Sequence, residues 1–152
     1  MTLFLSTFVN KLDKKGRVSV PASFRLALSQ QSFQGVIAFR SFKLPAIEGM
    51  GSDRMQRLSE TVDQLDLFSD SQDDLTASIF SDAQMLGFDG DGRVVLTQAL
   101  INHANIQDHV AFVGRGATFQ IWNPEAFESY QQEARRRIQA NRETLKLRVD
   151  HA

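Results

Sequence analysis

The chain has 152 residues, 42% of them hydrophobic, enough to pack one ordinary domain or two very small ones. Seventeen Lys and Arg against eighteen Asp and Glu leave a formal net charge of −1, which excludes a protein that coats nucleic acid through bulk charge. With no cysteine there is neither a disulfide framework nor a thiolate metal site, and a reducing compartment fits.

In chain order, the opening MTLFLSTFV is apolar but has no basic n-region and no small-residue cleavage site. Asn10 and Lys11 end it too early for export or a membrane span, so a cytoplasmic protein is expected. Leu5, Phe8 and Leu12 lead into LDKKGRVSVP at 12–21. There Asp13-x-x-Gly16 predicts a tight turn with Gly16 at positive φ, and Val18 and Val20 resume a strand. A short helix follows, with Pro21 in its first turn and Phe24, Leu26 and Leu28 facing inward. A strand pair is predicted over 35–44.

Next, Ser52 is expected to cap a helix whose Met55, Leu58, Val62 and Leu65 form one apolar stripe. DSQDDLTASIF starts another, with Asp73 and Asp74 near the positive end of its dipole. The first turn then returns: LDKKGRVSV at 12–20 reappears as FDGDGRVVL at 88–96, at a constant offset of 76 for Asp, Gly and Arg. Met85 and Phe88 lead in, Val94 and Leu96 resume the strand, Thr97 caps QALINHA, and a strand pair covers 110–122. Residues 5–45 and 80–122 are thus expected to form two β-β-α-β units around one shared core. Trp122 reads as an anchor between sheet and helix. Asn123 and Pro124 start a helix with Phe127, Tyr130, Ala134 and Ile138 on one face, and the tail after Leu147 is expected to fray.

Charge is distributed unevenly along this order. Residues 1–50 carry seven basic and two acidic side chains, residues 51–82 two and eight, residues 83–127 two and four, and residues 128–152 six and four. Basic surface is therefore local and mostly N-terminal.

Lys11, Lys14, Lys15 and Arg17 lie within seven residues at or beside the first turn. Such a tip suits a phosphate backbone, and Arg17 has the geometry to fork onto a guanine edge. The same residues also fit ordinary solvation, with Arg17 paired to Asp13 across the turn. The second turn, DGDGR at 89–93, fails as a calcium loop because the twelfth position is Leu100 where a bidentate Glu is needed. His103, His109 and His151 have no metal-like spacing, and no serine sits in a nucleophile elbow. The acids of DDLTASIFSD have no partner base, and Arg135 to Arg137 are interleaved with Glu133 and Glu143, so both stretches read as solvated faces. No catalytic residue, metal ligand or cofactor site follows from the sequence.

LDKKGRVSVPASFR, the second Asp89-x-x-x-Arg93 and FQIWNPEAF together resemble the MraZ family across roughly residues 3–140. The resemblance implies an α+β fold of two tandem AbrB-like swapped-hairpin units, residues 5–50 and 83–126, forming one pseudo-dimeric barrel. An acidic helical insert, 51–82, and a C-terminal helix and tail, 127–152, complete it. It implies a cytoplasmic, nucleoid-associated repressor of the division and cell wall gene cluster that binds short direct repeats in promoter double-stranded DNA. It further implies a ring-shaped homo-oligomer, octamer or dodecamer, with no membrane partner and no enzymatic activity. By family pattern Lys14, Lys15 and Arg17, with Lys11 and Arg93, are the DNA-contacting positions, and Asp13, Gly16, Asp89 and Gly92 hold the turns. The second turn departs from the first in having Gly90 and Asp91 where the first has two lysines. A different class stays open beside this one: an AbrB-fold module, antitoxin-like or structural, that binds a protein and uses its Asp-Arg pairs only to hold hairpins.

Overall fold

The computed structural model describes residues 3–141. In chain order it comprises β1 (Thr7–Lys11), β2 (Arg17–Ser19), α1 (Ala22–Leu28), β3 (Gly35–Arg40) and β4 (Ile47–Met50). Then come α2 (Ser52–Asp63) and α3 (Asp70–Leu75), the latter running into one π-helical turn, Thr76–Phe80. β5 (Gln84–Gly87), β6 (Arg93–Val95), α4 (Gln98–His103), β7 (His109–Gly114) and β8 (Phe119–Trp122) repeat the first order, and α5 (Pro124–Asn141) ends the described chain.

Strands pair across the two halves. β1 pairs with β7 of the other half, and its counterpart β5 pairs with β3. β2 and β6 pair with each other, with Val18 opposite Val94, two residues 76 positions apart. β4 and β8 likewise pair with each other, centred on Glu48 opposite Gln120. The result is a six-stranded antiparallel sheet, β1-β7-β8-β4-β3-β5, and a separate two-stranded ribbon, β2-β6. One hydrophobic cluster joins the halves, with Leu12, Val18, Val20, Phe24 and Leu28 packed among Val94, Leu96, Leu100, Phe112 and Phe119. Phe119 is its pivot, its ring 4.9 Å from that of Phe4 and 5.1 Å from that of Phe24. Fully burying each such side chain contributes about 1.5–3 kcal/mol, so neither half keeps its core without the other.

The barrel expected from the resemblance is not closed. Among the described residues no ladder joins the edge strands β1 and β5. Instead β1 packs beside β2 and β5 beside β6, so the ribbon occupies the place where closure would have to occur.

Several local expectations are corrected. Phe24 and Leu28 are buried at helical spacing i, i+4, but Leu26 lies on the opposite face and is 75% exposed. The strand pair expected over 35–44 runs later, because Ser41 Oγ accepts from the Lys43 and Leu44 amides and folds 41–46 into a turn before β4. Ser52 does not cap α2: Gly51 is the N-cap, and Ser52 Oγ accepts instead from the Phe33 amide at 3.3 Å. Thr97 is the N-cap residue of α4, but its hydroxyl donates to Gln84 Oε1 at 2.9 Å rather than capping the helix.

The stripe of α2 packs inside the chain, Met55 and Leu58 resting on a cluster of Ile37, Phe39, Met50 and Ile79, with Val62 buried. Leu65 lies past the helix end and is exposed. The insert is tied back to the sheet by Asp82, which takes a fork from Arg40 Nε and Nη2 at 3.0 and 2.7 Å and also accepts from the Arg40 amide. Asn123 Oδ1 caps α5 through the Glu125 and Ala126 amides. Trp122 anchors that helix, buried with its ring 5.5 Å from Phe127 and 5.0 Å from Tyr130. Ile138 is exposed. Glu143, His151 and the tail after Leu147 lie outside the described residues.

Candidate nucleic-acid interface

Both turns are built by the same bonds. In the first, the Asp13 amide donates to Arg17 O at 3.0 Å, the Gly16 amide donates back to Asp13 O at 3.0 Å, and Gly16 takes φ +80°. Asp13 Oδ1 accepts from the Lys15 and Arg17 amides, and Oδ2 accepts from Arg17 Nε at 2.6 Å. In the second, Asp89 N donates to Arg93 O, Gly92 N donates to Asp89 O, and Gly92 takes φ +75°. Asp89 Oδ1 accepts from the Asp91 and Arg93 amides, and Oδ2 from Arg93 Nε at 3.0 Å. The Asp is the turn's internal clamp, which is why an Asp-x-x-Gly-Arg spacing yields this loop. Each carboxyl is held below its ordinary value of 3.8, foremost by the amide of its own arginine, Arg17 for Asp13 and Arg93 for Asp89.

The turns part company in what they leave free. Lys14 and Lys15 are exposed and make no ion pair among the described residues. Arg17 spends only Nε on Asp13, and its terminal amino groups have no protein partner among the described residues. Arg93 is held at both ends of its fork, Nε on Asp89 and Nη2 on Asp91 Oδ2 at 3.2 Å. Burial does not distinguish them, since the arginine side chains are 34% and 30% exposed. Gly90 adds no charge.

The ribbon presents both arginines outward. Val18 and Val94 face the core, while Arg17, Ser19, Arg93 and Val95 stand on the other face, with Arg17 opposite Val95 and Ser19 opposite Arg93. Antiparallel pairing sends the two turns to opposite ends of this ribbon. Lys11 is exposed at the end of β1, opposite His109, and its charge reaches Asp108. It stands one step behind the tip.

One cation at this surface was not singled out from the sequence. Arg25, on α1, lies over the second turn: a Cβ built on Gly92 would stand 2.7 Å from Arg25 Nη1 and 2.8 Å from its Cδ. Arg25 Nε donates to Val20 O at 3.1 Å, and Val20 N donates to Gly92 O. At the matching place beside the first turn stands Ile101 of α4, its Cδ1 4.0 Å from the Gly16 Cβ position. The repeat itself carried the signal: once Val18 is paired with Val94, the helix after each ribbon strand must cross the opposite turn.

Other sequence candidates stay dispersed. His103 Nε2 donates to Leu44 O, and His109 Nδ1 lies 3.2 Å from Asp108. Among the described residues no group of His, Asp and Glu is placed to hold a metal ion, and no helix is long and apolar enough to cross a membrane. Arg136 pairs with Glu133 at 2.6 Å on the exposed face of α5.

The site is thus an α+β scaffold whose exposed ribbon ends in two clamped turns, one of them basic. Residues 79–149 match the family described as "MraZ protein, putative antitoxin-like". The chain is 47% identical over 144 residues to the transcriptional regulator MraZ of Pelagibacter ubique, covering 95% of this chain and 93% of that protein. It is 42% identical to the transcriptional regulators MraZ of Rickettsia akari and Rickettsia bellii, covering 96% of this chain and 98% of each of them. The chain belongs to the MraZ family, one of transcriptional regulators and not of enzymes.

Proposed function

We propose that this protein regulates transcription by binding double-stranded promoter DNA through its first hairpin turn. The observation that carries the reading is the free charge at that tip: Lys14 and Lys15 unpaired and exposed, and Arg17 oriented by Asp13 with its terminal amino groups unengaged among the described residues. A two-stranded ribbon fits the major groove of B-DNA, where the lysines meet phosphates and Arg17 forks onto guanine O6 and N7. Asp13 fixes the arginine before the DNA arrives, so little side-chain freedom is lost on binding. Arg93 and Lys11 are secondary contacts, one clamped by two acids and the other set back from the tip.

In this reading residues 5–50 and 83–126 are two AbrB-like swapped-hairpin units, 51–82 is the acidic insert and 127–152 the C-terminal segment. The protein acts in the cytoplasm, at the nucleoid, as a repressor of the division and cell wall gene cluster, on short direct repeats. A ring-shaped homo-oligomer multiplies a weak single contact through effective concentration. Leu5, just before β1, and Val9 within it are exposed apolar side chains available for contact between subunits. A second reading, a protein-binding module without DNA contact, draws on the same clamps, since each Asp-Arg pair is satisfied inside its own turn. Footprinting on the DNA upstream of the protein's own gene, repeated across a salt series, separates the two. Protected repeats with a steep salt dependence support DNA recognition, and no protection at low salt overturns it.

A further inference from the structure

We infer that Arg25 is a phosphate-contacting residue that supplies the second turn with the unpaired cation its own loop lacks. The inference rests on the DNA-binding reading above. The two turns share a backbone but obtain positive charge differently. At the first turn the loop provides Lys14 and Lys15, and the helix crossing it contributes the apolar Ile101. At the second the loop provides Gly90 and Asp91, and the helix crossing it contributes Arg25.

Three features suit Arg25 to this role. It is exposed and makes no ion pair among the described residues, whereas Arg93 beside it is neutralised by Asp89 and Asp91. Its Nε is held on Val20 O, which fixes the stem and leaves the terminal amino groups without a protein partner among the described residues. Gly92 has no side chain to fend off the guanidinium, whose Cζ lies 3.0 Å from where a Cβ would stand. Delocalised charge on a tethered stem, beside a turn whose own arginine is already paired, is suited to a phosphate.

The test uses the full chain and a mixed-sequence duplex of about 40 base pairs, because binding to phosphate is independent of sequence. Neutralising one phosphate-binding cation lowers the slope of log affinity against log salt by about 0.9. Arg25→Gln and Lys15→Gln are each expected to lower it by about that amount per turn, and Arg25→Lys to restore it. Retention of the full slope in Arg25→Gln while Lys15→Gln reduces it overturns the role of Arg25 and leaves the DNA reading intact. A reduced slope in Arg25→Lys as well assigns Arg25 to holding the turn, and overturns it too. Failure of the unmodified protein to bind the duplex at low salt overturns the DNA reading itself. If Arg25→Gln does not fold, Ile101→Arg is measured instead. It places the same cation beside the first turn and should steepen the slope by a similar amount, and an unchanged slope contradicts the inference.

Discussion

The two hairpin turns are the same object mechanically and different objects electrostatically. Each is closed by an Asp that accepts two backbone amides and the Nε of the arginine four residues on. Each has a glycine at positive φ. Yet among the described residues the first leaves two lysines and most of an arginine unpaired, and the second ties its arginine to two acids. A repeated motif therefore fixes a loop shape without fixing what the loop binds. The clamp belongs to folding, and the two residues between Asp and Gly set the charge offered to a partner.

Exchanging those two residues should have the largest effect. Replacing Lys14 and Lys15 by Gly and Asp gives the first turn the charge of the second, and duplex affinity at moderate salt should fall on the order of ten- to hundredfold. Placing lysines at 90 and 91 should raise it. Fluorescence anisotropy on one duplex reads both variants, and an affinity indifferent to either exchange breaks the comparison.

A smaller effect separates the glycines. Gly16→Ala forces a side chain into the left-handed region with its Cβ 2.9 Å from the backbone oxygen of Leu96, which cannot move without breaking the Leu96 N to Gly16 O bond. It should cost at least the ~1–2 kcal/mol of left-handed strain. Gly92→Ala carries the same strain but meets only the Arg25 side chain, whose displacement costs no more than the Nε bond to Val20 O. Thermal melting should therefore rank Gly16→Ala as the more destabilising, and the reverse order would show that the second turn is the tighter one.

The smallest effect is one the turns should share. Because Asp13 and Asp89 titrate below 3.8 in the folded chain, the unfolded chain binds more protons in acid. Their contribution is complete above the ordinary carboxylate range and is lost as pH falls through the lowered folded values, and Asp82 under Arg40 adds to the same limb. Asp13→Asn and Asp89→Asn should each flatten the acid side of the melting-temperature profile to a similar degree. A strong effect from one alone would contradict mechanical equivalence.

Much of this was legible in the sequence because it is local. The turns, the valines that follow them, the Asn123 cap and the Trp122 anchor are all set by residues within a few positions of each other. Leu26 was misplaced because three apolar residues in a five-residue span invite alternation, whereas the helix keeps only positions four apart on one face. Arg25 was missed for a different reason. Its partner Gly92 is remote in the chain, and only the β2-β6 pairing brings α1 across the second turn. The shared core, by contrast, was expected from the repetition of the two turns and the apolar residues that flank them.

The most direct test of unequal turns is a side-by-side measurement of promoter affinity and melting temperature for Arg17→Ala and Arg93→Ala. Arg17→Ala should lose about 1–3 kcal/mol of binding per turn while staying folded, as expected for an arginine that reads a base. Arg93→Ala should melt earlier, because Asp89 and Asp91 then face each other without their shared cation, and should lose far less affinity once folded. Equal loss of affinity in two fully folded variants would show that both turns carry the DNA alike, and would contradict the account.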